Sequence, residues 1–136
     1  DYHRFPFPCD CVQKQSPLKI KGKYHSVNPI AFKKAPDLFV ENTRAVTVLE
    51  SELFGKIFYL EVGAFGVGSI VHLAKKVGNY CKMDEKGFFK FGGSTVILLF
   101  EADKIEVDAD LKNNSQAGIE TLIRCGERIG CLKKIQ

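Results

Sequence analysis

The sequence lacks tryptophan, holds a single methionine, and has no apolar run near the ~18 residues that a membrane-spanning helix needs. No secretory signal peptide is recognisable at its N-terminus. Hydrophobic and charged contents of 45% and 26% are ordinary for a globular protein, which excludes a disordered chain. Because 136 residues suit one domain and the first residue is not methionine, we expect residues 1–136 to form a single domain that is a fragment or a processed piece.

Motifs that bind metals or nucleotides are also missing. Cys9 and Cys11 have no second Cys or His pair at zinc-ligand spacing, and the histidines have none either. The glycine-rich segment 62–70 matches neither the dinucleotide nor the P-loop pattern, so strand bending explains its glycines better. We therefore expect neither a metal nor a nucleotide cofactor. Five cysteines at irregular spacing favour reduced thiols and an intracellular protein.

Positive charge is concentrated near the N-terminus. Residues 11–36 include six lysines and no acid, whereas the net charge of +4 is too small to predict nucleic-acid binding. Alternation over residues 18–24 predicts a half-buried strand whose outer side carries Lys19, Lys21 and Lys23. The inner side would carry Leu18, Ile20 and Tyr24. A solvated face explains the lysines, and so does an anionic bilayer surface, to which each lysine contributes about 1 kcal/mol.

The apolar pattern repeats mostly with a period of two. It predicts a mainly β fold, α+β at most: a compact single domain of short, largely antiparallel strands with one or two short helices. A short helix is predicted at 36–42, with Pro36 in its first turn. Strands are predicted at 18–24, 45–49, 56–62, 67–73, 87–91, 95–100, 104–107 and 120–124.

The segment Gly92-Gly93-Ser94-Thr95 leads directly into the apolar strand predicted at 95–100. A hairpin turn would explain the two glycines, because glycine adopts positive φ at little cost. A second interpretation is that the Gly93–Ser94 bond is attacked by the serine hydroxyl, since a carbonyl without a neighbouring Cβ is easy to approach. Near the N-terminus, an extended Asp1-Tyr2-His3 would place a carboxylate and an imidazole on one side, a geometry suited to acid–base work.

Several longer motifs carry a family resemblance. They cover the chain from Asp1 to about Gly130 and read, in order, DYHRF, YHSVNPIAF, LFVENTRAV, FGKIFYLEVGAFGVGSI, EKGFFKFGGSTVILLFE and GIETLIRCGERIG. Their order and content resemble those of phosphatidylserine decarboxylase proenzymes. The chain therefore resembles the C-terminal catalytic portion of the members of that family.

The resemblance implies a lyase that matures from a zymogen. The Ser94 hydroxyl would attack the Gly93 carbonyl, and the resulting ester would eliminate to leave dehydroalanine. Loss of ammonia would then convert residue 94 into a pyruvoyl group, the only cofactor expected. That group binds the amine of the substrate and accepts electrons as CO2 leaves, which converts phosphatidylserine into phosphatidylethanolamine.

Further roles follow from the same resemblance. His3 matches a histidine that assists decarboxylation or reprotonation, and Ser26 and Val27 match a segment lining the head-group pocket. The implied partners are phosphatidylserine, an anionic membrane surface and the protein's own N-terminal chain after cleavage. The protein is expected to be intracellular and associated with a membrane, and no nucleic acid is expected among its partners. Whether it forms a homo-oligomer is left open.

One residue departs from the family pattern. The family reads H-R-x-H-x-P, whereas this chain has Pro6 in place of the second histidine, which acts as the base for self-cleavage. Proline has no titratable side chain and cannot take the proton from Ser94. Besides the phosphatidylserine decarboxylase, two alternatives stay open: a degenerate member that does not process itself, and a soluble pyruvoyl-dependent decarboxylase of free amino acids.

Overall fold

The computed structural model describes residues 3–65, 69–74, 76–90 and 95–133, which form eleven strands and three helices. In chain order they are β1 (Arg4–Pro6), β2 (Cys11–Gln13), β3 (Leu18–Ile20), α1 (Pro29–Lys34), α2 (Leu38–Glu41), β4 (Arg44–Ser51), β5 (Gly55–Val62), β6 (Ser69–His72), β7 (Gly78–Tyr80), β8 (Glu85–Lys90), β9 (Thr95–Phe100), β10 (Ile105–Val107), α3 (Ala109–Gln116) and β11 (Gly130–Leu132).

The strands form two main sheets. The larger sheet has six strands in the order β7-β2-β4-β5-β9, with β3 pairing beside β2 along the same edge of β4. The smaller sheet has three strands in the order β1-β8-β6, and β10 pairs with β11 separately. Every pair of these strands is antiparallel. The predicted mainly β class is confirmed.

The core lies between the two sheets. Phe5 and Phe89 of the smaller sheet pack against Tyr59 of the larger one, with 6.2 Å between the ring centroids of Phe5 and Tyr59. Alternation along the strands of the larger sheet turns one side chain in two towards this layer, which removes it from water. The buried apolar cluster consists of Phe5, Phe7, Cys9, Cys11, Leu49, Ile57, Tyr59, Ala74 and Phe89.

The helices are short, and only α1 begins with a side-chain cap. The predicted helix at 36–42 is confirmed as α2, which begins two residues later than Pro36. The helix α1 was not predicted, although Asn28 accepts a hydrogen bond from Ile30 N at 2.9 Å and Pro29 occupies the first turn, which are both standard start signals. The helix α3 was not predicted either, and none of its residues is buried.

One predicted strand is absent from the structure, and four short strands were not predicted. Residues 120–124, predicted as a strand, have no regular structure, and no described strand pairs with them. The side chain of Leu122 in this segment is 95% exposed. The three-residue strands β1, β2, β7 and β11 were missed, since a segment of that length shows no periodicity. Residues 67, 68 and 91, at the ends of two predicted strands, lie outside the described residues.

The lysine-rich strand has its two sides exchanged relative to the prediction. Only Leu18–Ile20 forms a strand, and Lys19 lies opposite Ala45, whose side chain is buried on the inner side of β4. Directly opposed residues share a face, so Lys19 is on the inner side of the sheet and Leu18, 64% exposed, is on the outer side. The prediction failed because the outer side of this sheet is itself apolar and open, with Phe58 and Leu99 also exposed.

The five cysteines are free thiols, as the sequence predicted. Burial raises the pKa of Cys11 to about 12 and raises that of Cys9 as well, so both stay protonated. In the native protein we expect iodoacetamide at pH 8 to modify Cys81, Cys125 and Cys131 and to spare Cys9 and Cys11. Peptide mapping by mass spectrometry checks this, with urea-unfolded protein as the control in which all five react. Rapid modification of Cys11 in the native state would contradict the burial.

Candidate functional site

The predicted cleavage bond, Gly93–Ser94, lies outside the described residues, but its flanking strands are described. Before it, β8 ends at Lys90 in the smaller sheet; after it, β9 begins at Thr95 in the larger sheet. The chain therefore passes from one sheet to the other across this segment. The predicted strand immediately after Ser94 is confirmed, and Thr95 pairs with Val62 of β5.

His3 lies beside the end of β8 that leads to the cleavage bond. Its carbonyl accepts a hydrogen bond of 2.9 Å from Phe89 N, one residue before the end of β8, and its side chain is half-buried. Pro6 occupies the opposite end of β1, where it pairs with Glu85. Asp1, the predicted partner of His3, lies outside the described residues.

Ser26 and Val27 are held close to the same end of the larger sheet by a buried asparagine. The side chain of Asn42 accepts from His25 N at 2.8 Å and donates to His25 O and to Gly63 O, both at 2.9 Å. Gly63 directly follows the last residue of β5, which is the residue that pairs with Thr95. The fold thus brings the predicted head-group segment, His3 and the two chain ends flanking residues 91–94 to one end of the sheets.

A buried polar cluster, formed by Glu61, His72 and Lys86, lies between the sheets and was not predicted. Each of these residues is at most 3% exposed. Lys86 Nζ donates to Glu61 Oε1 and, at 2.9 Å, to Thr47 Oγ1. His72 Nε2 lies 3.5 Å from Glu61 Oε2. The carboxylate of Glu61 therefore stands between the amine of Lys86 and the imidazole of His72.

A β-bulge turns Lys86 into the interior. Phe5 pairs with Gly87 and Pro6 with Glu85, so Lys86 is an extra residue without a partner on β1. A bulge of this kind redirects the side chain of the extra residue. The residue after it is constrained too, because a Cβ on Gly87 would lie 2.2 Å from the carbonyl oxygen of Val71. Only glycine fits there.

The electrostatics of the cluster depend on the pairing of its charges. Burial lowers the pKa of Lys86, and the attraction of Glu61 opposes that effect. The ammonium also lies 4.6 Å from the ring centroid of Tyr59, close enough for a cation–π interaction. Among the described residues, Glu61 Oε2 and both ring nitrogens of His72 have no hydrogen-bond partner, which leaves acceptor and donor capacity inside the protein.

Of the three residues in the buried polar cluster, Glu61 could have been identified from the sequence pattern. Glu61 occupies an inward position of the alternating strand β5, in phase with Ile57 and Tyr59, and a carboxylate on an apolar face is unusual. No pattern identified Lys86, because the bulge that turns it inward breaks the alternation. In the ladder between β5 and β9, Glu61 pairs with Val96, two residues beyond Ser94 in the chain.

The described residues contain no group of three or more His, Cys, Asp or Glu side chains arranged to hold a metal ion. None of their helices has the length and apolar character needed to cross a membrane.

Comparison with known proteins accounts for almost the whole chain. The family model of phosphatidylserine decarboxylase matches residues 1–131. Over 130 residues the chain is 53% identical to the phosphatidylserine decarboxylase proenzyme of Chlamydia pneumoniae and 49% identical to that of Clostridium novyi. These matches cover 96% of this chain but only 43% and 44% of the two relatives. A Clostridium botulinum proenzyme is 49% identical over 133 residues, 98% of this chain and 45% of that protein. The chain spans less than half the length of these relatives, and it belongs to the phosphatidylserine decarboxylase family.

Proposed function

We propose that this chain is the catalytic portion of a pyruvoyl-dependent phosphatidylserine decarboxylase that cleaves itself between Gly93 and Ser94. The observation that carries the proposal is the family match over residues 1–131, which includes the Gly-Gly-Ser-Thr segment. The relatives are named phosphatidylserine decarboxylase proenzymes, which favours this function over the decarboxylation of free amino acids.

The surroundings of residue 94 fit a pyruvoyl group. Thr95, its neighbour, is tied into the ladder with β5, so a group at residue 94 would be anchored to the larger sheet. One rung further, Glu61 has a buried carboxylate oxygen with no hydrogen-bond partner among the described residues. When bound, the group supplies an electron sink for the departing CO2. Formation of the group needs the Ser94 hydroxyl as nucleophile and the Gly93 carbonyl as its target.

The chain's other residues would bind the substrate and move protons. His3, beside the end of β8, is proposed to give or take the proton at the substrate's α-carbon. Ser26 and Val27 are proposed to contact the head group, and the Asn42 hydrogen bonds would hold their segment in place. Membrane association is proposed because the substrate is a lipid, and Lys21 and Lys23 remain exposed for contact with an anionic surface.

Intact-mass analysis of the gene product carrying this chain tests the self-cleavage. We expect two polypeptides that separate between Gly93 and Ser94, with the second lacking a free amino terminus because residue 94 has become a ketone. A single uncut chain would show that Pro6 has made this protein a degenerate member, since no base then takes the Ser94 proton. Restoring the family residue with Pro6→His is the matched comparison, and it should accelerate cleavage.

Release of CO2 tests the substrate. We expect the cleaved protein to release CO2 from phosphatidylserine in mixed micelles and to release none from free phenylalanine, tyrosine or serine under the same conditions. Activity on a free amino acid that exceeds activity on the lipid would replace the proposed substrate while leaving the pyruvoyl chemistry intact.

A further inference from the structure

The outer side of the larger sheet, which is turned away from the smaller sheet, carries a continuous apolar surface. Directly opposed residues of neighbouring strands share a side of the sheet, so the register of the ladders defines the rows of this surface. One row crosses four strands and the next crosses three. We call the seven residues of these two rows the outer apolar face: Leu18, Val46, Leu60 and Ile97, then Val48, Phe58 and Leu99.

Large side chains of this face are exposed in the described part of the chain. Phe58 is 43% exposed, and Leu18 and Leu99 are exposed still further. The row on the other side of Leu60 differs, because Arg44 in that row donates to the carbonyl of Val40 in α2, and its partner Val62 is fully buried. The outer side is therefore covered at the row that α2 contacts and open from the next row onwards.

Charged residues form the opposite border of the face. Glu50 lies opposite Lys56 in the ladder between β4 and β5, two residues beyond Val48, and it also forms an ion pair with Lys14. The face itself contains no charged residue, so it has no cation to attract an anionic bilayer. It is an apolar strip between α2 and an ion-paired border.

The size of the face distinguishes between possible occupants. Strands lie about 4.8 Å apart and alternate residues about 7 Å apart, so two rows across four strands cover on the order of 300 Å². A stable contact between two separate proteins needs about 800 Å² from each of them. The face is therefore too small to hold a second copy of the chain by itself. A segment of the same polypeptide loses little translational freedom on docking, so a smaller area is sufficient for it.

The relatives contain polypeptide that could supply such a segment, because this chain spans less than half of their length. We propose that, in the gene product, the outer apolar face is covered by a segment from outside residues 1–136 that docks through an apolar side of its own. An amphipathic helix of about twelve residues is about 18 Å long and about 10 Å wide, which suits the dimensions of the face. The larger sheet would then be the middle of three layers.

Hydroxyl-radical footprinting of the wild-type gene product tests the cover, because the oxidation rate of a side chain follows its exposed area. The structure offers two matched pairs of leucines. Leu18 on the face and Leu53 outside it are 64% and 60% exposed, and Leu99 on the face and Leu73 outside it are both 51% exposed. We expect Leu18 and Leu99 to be oxidised roughly fivefold more slowly than their controls, since side chains at the centre of a docked surface lose nearly all exposure. Equal rates within either pair would overturn the proposal.

Photo-crosslinking from position 58 tests the identity of the cover. The substitution Phe58→p-benzoylphenylalanine keeps an aromatic side chain on the face and bonds to whatever it touches on illumination. We expect crosslinks within one polypeptide, to peptides from outside residues 1–136, with a yield that does not depend on protein concentration. Leu53→p-benzoylphenylalanine is the control and should not crosslink to those peptides.

The other occupants give different products. A crosslinked pair of copies whose yield rises with concentration would assign the face to self-association, and a crosslink to lipid in phosphatidylserine vesicles would assign it to the membrane. Either result overturns the proposal, and so does a variant that is folded by circular dichroism and forms no crosslink.

These measurements are independent of the chemistry at residue 94. The inference uses the family match and the exposed face, so a chain that stays uncut contradicts the proposed function and leaves the footprint unchanged. Normal cleavage and CO2 release by a protein whose outer apolar face is open would overturn the docked segment alone.

Discussion

Replacing Ser94 by alanine is expected to yield one uncut chain with no decarboxylase activity. Without the hydroxyl, no acyl shift from nitrogen to oxygen is available at the Gly93 carbonyl, so no ketone forms at residue 94. Intact mass and CO2 release from phosphatidylserine measure the two effects. Ser94→Cys retains a nucleophile and should still cleave, although with altered kinetics. Ser115→Ala, in the exposed helix α3, is the control and should behave as wild type.

Reagents that react with ketones test the same mechanism without a mutation. If residue 94 carries the proposed ketone, the active protein should be sensitive to phenylhydrazine and to borohydride in the presence of substrate. We expect complete inactivation and a matching mass increase on the chain that begins at residue 94. Ser94→Ala protein that releases CO2 at the wild-type rate, or active protein that resists both reagents, would refute the pyruvoyl mechanism.

Removing either charge of the buried polar cluster is expected to destabilise the protein by about 3–5 kcal/mol, because the remaining charge is left buried and unpaired. Glu61→Gln leaves the charge of Lys86 unpaired, and Lys86→Met leaves the charge of Glu61 unpaired. Both residues are fully buried. Urea unfolding followed by circular dichroism measures the free energy of unfolding. The double variant Glu61→Leu with Lys86→Met should recover most of the loss, since it removes both charges together.

An exposed ion pair on the same strand provides the matched control. Glu85 precedes Lys86 in β8 and pairs with Arg4, and the two side chains are 39% and 54% exposed. Glu85→Gln should therefore cost less than about 1 kcal/mol. A loss in Glu61→Gln no larger than that of Glu85→Gln would contradict the buried pairing.

The destabilisation of Glu61→Gln should also depend on pH. Glu61 opposes the lowering of the Lys86 pKa by burial, so its removal lowers that pKa further. A lysine whose pKa is lower when folded binds fewer protons in the folded state than in the unfolded state. The penalty is therefore full at pH values below the folded pKa, and it shrinks as pH rises from there towards the ordinary value of 10.5. Unfolding at several pH values measures this trend.

The sequence was sufficient where the information is local or repeated. The strands β4 and β5 alternate and β9 is a continuous apolar run, so the positions of all three were predicted to within two residues. The family was recognised from contiguous motifs, and the same motifs predict the Gly93–Ser94 cleavage bond. The three-residue strands β1, β2, β7 and β11 were not predictable in this way, because their ladders are specified by neighbours distant in the chain.

The placement of the charged side chains was decided only by the tertiary structure. Strand alternation specifies that Lys19 and Leu18 lie on opposite sides, but not which side faces the second sheet. The pairing of β3 with β4 placed Lys19, which stays exposed, on the side that faces it. Lys86 is turned inward by a bulge that arises from the register shift between β1 and β8. Its ammonium then pairs with Glu61 of the other sheet. Composition and periodicity determined the mainly β class with short, antiparallel strands. The buried polar cluster and the placement of His3 and of residues 26 and 27 towards one end of the sheets depend on contacts between distant segments, and no local pattern contains them.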